Sequence, residues 1–253
     1  MLYFKSLSDI LTSPQTGDKT LVDVSMSTDT VFCRSLVSAG YLTEQQMLHA
    51  AERYRLGRSR DGAVVFWQID EEQHIRDGKL MWYQDNCHRR KDKDASWVTA
   101  ILRRQYAIPS GFEPKRCLFG LHLLTQRSLS SRGHISDIIA VVEAEKTAVI
   151  MSEHCPKYIW MASGGLSMLN AAKLYPLKEH KVVLFPDTDT DGKTYKAWQA
   201  IAEAAQENFK YPIRVSDILE RSATAEQKEE KIDLVDYLFS NDAICHDEDN
   251  AEK

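Results

Sequence analysis

Val182-Val-Leu-Phe-Pro-Asp187-Thr-Asp189-Thr-Asp191-Gly192 decides how this chain is read. An apolar run breaks off into three alternating acids and a glycine. Alternate residues of a strand share a face. The run therefore predicts a buried strand with carboxylates gathered at its carboxyl end, where open α/β sheets hold their ligands. Like charges so close together repel, and a bound cation is one way to hold them there.

Four readings compete for the stretch. Asp-x-Asp-x-Asp-Gly opens an EF-hand calcium loop, but the twelfth position, which should be a bidentate Glu, is Trp198. A phosphatase motif of the Asp-x-Asp-x-Thr kind fits Asp187 and Asp189, yet Asp191 stands where its Thr belongs. A solvated acidic turn is the plain alternative. The fourth reading is a divalent-metal site completed by a Glu from an earlier strand.

That Glu exists. Ile138-Ile-Ala-Val-Val142 is a run of five apolar residues, suited to a central parallel strand, and Glu143 follows it directly. Alone, Glu143 reads as a helix-start charge. Between the two acidic ends lies Tyr158-Ile-Trp-Met-Ala, a further apolar strand, followed by Ser163-Gly164-Gly165, a small-residue turn that permits close approach of backbone or ligand. Lys193 to Asn208 then shows helical periodicity, with Tyr195, Trp198, Ile201, Ala202 and Ala205 on one side. Pro212 to Ile218 reads as a fourth strand, Glu220 to Lys231 as a charged linker, and Asp233-Leu-Val-Asp236-Tyr-Leu closes the segment.

The ordered set Val142-Glu143, Ser163-Gly164-Gly165, Asp187-x-Asp189-x-x-Gly192 and Asp233-x-x-Asp236 resembles the Toprim domain of primases, over roughly residues 135–240. It is similar in flavour to the small primase-like proteins of phages, plasmids and mobile elements. The resemblance matches Glu143 to the Toprim glutamate, Asp187 and Asp189 to its paired aspartates, and Gly192 to the glycine after them. It sets Asp233 and Asp236 on the later acidic segment. The implied fold is α/β, a mostly parallel sheet flanked by helices. Upstream, Gly62 to Asp70 and Asp77 to Tyr83 are strand-like runs around a polar turn, and Arg116-Cys-Leu-Phe-Gly-Leu121 precedes the glutamate. This order resembles the smaller α+β subdomain that precedes Toprim in bacterial replicative primases.

The implied organisation is a loose arm at 1–29, an α+β subdomain at 30–134, the Toprim domain at 135–240 and an acidic, disordered tail at 241–253. Thr43-Glu-Gln-Gln46 predicts a capping box opening a helix through Arg55, with Met47, Leu48, Ala51 and Tyr54 inward. Replicative primases also carry a zinc ribbon. The five cysteines, at 33, 87, 117, 155 and 245, have no Cys-x-x-Cys pairing, so no zinc is expected here and a zinc-bearing partner could supply that module.

A net charge of −5 on 253 residues makes no global case for nucleic acid. The local candidate is His88, Arg89, Arg90, Lys91 and Lys93, followed by Trp97, Arg103, Arg104, Tyr106, Lys115 and Arg116. Cations interleaved with aromatics suit a single strand; for any one of these residues a solvated surface role is the competing reading. Scattered cysteines and the lack of a signal-like start or membrane-length apolar run point to the cytoplasm.

The resemblance implies a nucleotidyltransferase that makes primers on single-stranded DNA from nucleoside triphosphates, with a helicase as a candidate partner. Glu143, Asp187, Asp189 and Asp236 would hold Mg²⁺ or Mn²⁺, with Glu143, Asp187 and Asp189 catalytic. Lys146 is expected in a helix-to-surface salt bridge or on a phosphate, and Gly164, Gly165 and Gly192 as structural turns. Toprim domains also serve nucleases, and a non-catalytic nucleic-acid-binding accessory protein is a third reading.

Overall fold

The computed structural model describes residues 21–105, 107–109, 111–126, 138–165 and 167–240. The acidic tail, Tyr106 and residues 1–20 of the expected arm lie outside these. The chain divides into two compact units, 1–131 and 132–253.

In the first unit, α1 (Leu21–Ser25), α2 (Val31–Ser38) and α3 (Glu44–Arg53) precede an antiparallel sheet. The sheet contains β1 (Gly57–Arg58), β2 (Val64–Ile69), β3 (Ile75–Met81) and β4 (Ser96–Trp97) in spatial order 1-2-3-4. The unit closes with α4 (Val98–Arg104) and α5 (Leu123–Gln126). β2 is buried along its whole length because both of its faces are covered. Val65, Trp67 and Ile69 pack with Val22, Leu80, Val98 and Phe112. Phe66, which alternates with them, meets Phe32, Tyr83 and Phe119 edge-on, and Tyr54 stacks on Phe119.

Two expectations need correction here. The stretch read as a loose arm contains α1, whose Val22 is 1% exposed and joins the core. The capping box at Thr43 forms, but α3 stops at Arg53, and Arg55 takes a left-handed conformation with φ 51°. Leu48 is 48% exposed, since Met47, Ala50 and Ala51 form the buried stripe and Leu48 lies off it.

The second unit alternates strand and helix: β5 (Ile138–Val142), α6 (Glu145–His154), β6 (Ile159–Ala162), α7 (Ala171–Leu174), β7 (Lys181–Phe185), α8 (Lys193–Ala205) and β8 (Ile213–Val215). All pairings are parallel, in spatial order β6-β5-β7-β8. Such strands are covered on both faces and read as continuous apolar runs; Ile139, Ala140, Val141 and Val142 are at most 1% exposed. From β5 the chain steps to one side to reach β6, and from β7 it steps to the other to reach β8. The direction of winding thus reverses between β5 and β7, and a crevice opens there beyond their carboxyl ends. Glu220 to Lys231, read as a linker, is mostly helical: α9 (Ile218–Ser222) and α10 (Ala225–Glu230), the latter with its own Thr224–Gln227 capping box. α11 (Leu234–Ser240) completes the unit and packs against α6.

Candidate active site

Val142 of β5 pairs with Phe185 of β7, so the residues that follow them, Glu143 on one strand and Pro186-Asp187 on the other, flank the reversal crevice. Gly164 donates its backbone N–H to the Glu143 carbonyl at 3.0 Å, and Ser163 donates to the Val142 carbonyl at 2.9 Å. The glycine turn after β6 is thereby tied to the end of β5. Gly164 and Gly165 have φ 94° and 145°, conformations that side chains other than glycine rarely adopt. Lys173 of α7 donates to the Ser163 carbonyl at 3.2 Å and braces the same turn.

Asp187 is half-buried, and no hydrogen bond reaches its carboxylate among the described residues. Burial, then the carboxylates of Asp233, Glu143 and Asp236, push its pKa well above the usual carboxylate range, with Lys146 acting in the opposite sense. Five residues from three distant parts of the chain therefore share one electrostatic neighbourhood. Asp233 and Asp236 are set by a reciprocal cap at the start of α11. Asp236 N–H donates to Asp233 Oδ1 at 2.9 Å, and Asp233 N–H donates to Asp236 Oδ2 at 3.2 Å. Thr147 donates its hydroxyl to Asp233 Oδ2 at 2.5 Å. Lys146 Nζ lies 3.8 Å from Asp233 Oδ2 and 3.7 Å from Asp236 Oδ1, with 12% of its side chain exposed. The expected outward salt bridge of Lys146 is corrected: the lysine faces the acids.

Asp189 has different surroundings. Its Oδ1 accepts from the N–H groups of Asp191 and Lys193, and its Oδ2 accepts from the N–H and hydroxyl of Thr194. These donors belong to the start of α8, whose N-cap Gly192 is left-handed at φ 61°. The four hydrogen bonds hold the carboxyl well below the usual range despite its burial. A carboxylate offers about four lone-pair positions, and here all are taken. The loop is further pinned by Thr188, which donates its N–H to the Ile232 carbonyl and its hydroxyl to Glu220 Oε1. The sequence paired Asp189 with Asp187. Asp187 shares its electrostatic neighbourhood with Glu143, Asp233 and Asp236, while the Asp189 carboxylate is engaged by the start of α8.

Among the described residues, no three His, Cys, Asp or Glu side chains already stand as a coordination shell. The chemistry of the donor set nevertheless fits a hard divalent cation. Asp187 supplies carboxylate oxygens that meet no donor, with further carboxylates beside it.

In the first unit, the basic residues divide into two groups. Arg90 pairs with Asp92, and Arg103 donates to the Phe112 carbonyl and to Glu113. Arg116 donates to the fully buried Asp77 at 2.9 Å and stacks on Trp97 at 3.7 Å. Lys93 lies over Trp82 at 5.1 Å. Arg89, Lys91 and Arg104 are exposed and form no ion pair among the described residues.

The family described as "Domain of unknown function (DUF6371)" matches residues 31–188, more than half of the chain. The chain belongs to this family. The matched region includes Glu143 and Asp187 and ends before Asp189 and the Asp233–Asp236 cap. No curated protein matches. Among solved structures, the Escherichia coli primase catalytic core aligns with a TM-score of 0.51 at 15% identity, covering 87% of this chain and 80% of that one. The primase fragment of the bacteriophage T7 primase-helicase protein aligns with a TM-score of 0.44 at 17% identity over 77% of this chain; the chain spans 66% of that fragment's length. A DnaG primase catalytic domain bound to single-stranded DNA gives 0.42 at 18% identity, covering 81% of this chain and 65% of that one. The fold of this family member is thus a primase-like Toprim fold: a parallel four-stranded sheet flanked by helices, with an antiparallel sheet in the other unit.

Proposed function

We propose that this chain is a primase-like nucleotidyltransferase that synthesises primers on single-stranded DNA from nucleoside triphosphates in the presence of Mg²⁺ or Mn²⁺. The observation that carries the reading is Asp187. It is a half-buried carboxylate without hydrogen-bond donors, surrounded by three further acids at the winding reversal of a Toprim sheet.

Asp187 would be the principal ligand, with Glu143, Asp233 and Asp236 the further carboxylates available to one or two cations. The cation, when bound, would neutralise triphosphate charge as the 3′-hydroxyl oxygen bonds to the α-phosphorus and pyrophosphate leaves. The chain's own residues do the rest. Thr147 and the α11 cap fix Asp233 and Asp236. The Gly164–Gly165 turn leaves room for a phosphate-bearing ligand beside Glu143. Glu143, as a carboxylate at the crevice, is the candidate to accept the 3′-hydroxyl proton. Asp189 anchors the acidic loop to α8, so its contribution is to position Asp187. Arg89, Lys91 and Arg104, with Trp82 and Trp97 nearby in sequence, supply phosphate neutralisation and stacking for a single strand.

The test is incubation of the protein with single-stranded DNA, labelled nucleotides and Mn²⁺, in parallel with Asp187→Asn. The reading expects extension products that vanish in the variant. Shortened template would make the protein a nuclease using the same acids. A mobility shift without either product would make it a binder.

A further inference from the structure

We infer that the Lys146 ammonium is the resident counter-ion of the acid cluster, and that a divalent cation must displace it to bind. The inference rests on the metal-site reading of Asp187 given above. Lys146 is the second residue of α6, where the helix dipole disfavours a cation. Its side chain is also largely withdrawn from water, which is costly for an ammonium without nearby anions. Two penalties therefore oppose a lysine at this position, and the acids are what offsets them.

Its contacts with Asp233 and Asp236, at 3.8 and 3.7 Å, are longer than hydrogen bonds. Asp233 Oδ2 already takes the Thr147 hydroxyl, and Oδ1 takes the Asp236 N–H. Lys146 is thus held by these two aspartates through charge, with short directional bonds reserved for other donors. The Lys146 ammonium lies against Asp233 and Asp236, and those two acids, with Glu143, share the electrostatic neighbourhood of Asp187. A divalent cation among those carboxylates repels the ammonium at the same short range. Metal binding and the present placement of Lys146 are antagonistic.

A lysine that merely props up the ligands predicts the opposite mutational sign, which makes the two roles separable. The experiment is Mn²⁺ titration of chelator-treated full chain, followed by the electron paramagnetic resonance signal of free Mn²⁺. It compares wild type with Lys146→Met, Lys146→Arg and Asp187→Asn. Removing one positive charge beside the site is expected to tighten Mn²⁺ binding by about tenfold or more. Lys146→Arg, which keeps the charge, is expected to stay near wild type, and Asp187→Asn is expected to lose the site. Equal or weaker binding by Lys146→Met, with binding still lost in Asp187→Asn, overturns the counter-ion role and leaves the metal site standing. Failure of wild type and Lys146→Met alike to bind overturns both. Should Lys146→Met not fold without metal, Lys146→Gln measured against Lys146→Arg gives the same comparison.

Discussion

Asp77 in the first unit and Asp187 in the second are both aspartates withdrawn from water, and their surroundings are opposite in kind. Asp77, at 0% exposure, accepts from the N–H groups of Gly78 and Thr99, from the Thr99 hydroxyl and from Arg116. It closes the start of α4 and binds it to β3. Asp187 meets no donor and faces other carboxylates. Burial of an acid is therefore no sign of function by itself. What separates a structural carboxylate from a candidate ligand is whether its neighbours donate or repel. Asp189, two residues from Asp187, falls on the structural side with Asp77.

Substitutions can break this comparison. The largest effect is expected at Asp187. Asn there should remove metal-dependent synthesis altogether while raising the melting temperature in chelator, because it relieves repulsion. A lower melting temperature would place Asp187 with Asp77. Next, Asp77→Ala should destabilise by about 3–5 kcal/mol, since it strands Arg116 and the Thr99 donors; denaturant midpoints measure this, and a loss under about 1 kcal/mol would contradict a structural role.

Asp189→Ala should cost about 2 kcal/mol by removing the acceptor for the α8 start, and a neutral outcome would reopen a ligand role. The two loop acids should also respond oppositely to pH. Asp187 has a folded pKa above the ordinary 3.8. Its penalty is fully present above that raised value and is relieved as pH falls through it. Asp189 has a folded pKa below 3.8. Its stabilisation is present above 3.8 and lost as pH falls through the lower value. Melting curves of Asp187→Asn and Asp189→Asn against wild type, taken from neutral to acid pH in chelator, should converge with wild type in acid from opposite sides. The smallest effect is expected from Thr147→Val, about 1 kcal/mol, from loss of one hydroxyl bond to Asp233.

The central strands were legible because parallel strands covered on both faces have no polar alternation to confuse them. Glu143 and Asp187 were legible because each ends such a run. Asp189 could not be separated from Asp187, since an acid two residues along a loop reads the same whether it faces a cation or the N–H groups of the next helix. Lys146 read as a surface residue because what covers it arrives far later in the chain, when Asp233 and α11 dock on α6. Arg103 and Arg116 read as groove cations, and their engagement by the Phe112 carbonyl and by Asp77 depends on contacts no local pattern carries. α1 escaped notice because five residues, Leu21–Ser25, are too few to show a helical period.

An anomalous-difference map from crystals grown with Mn²⁺ tests the central claim most directly. The account predicts a peak within about 2.2 Å of an Asp187 carboxylate oxygen, beside Glu143, Asp233 or Asp236. A map with no peak at Asp187, or with its only peak on Asp189 at the start of α8, would contradict it.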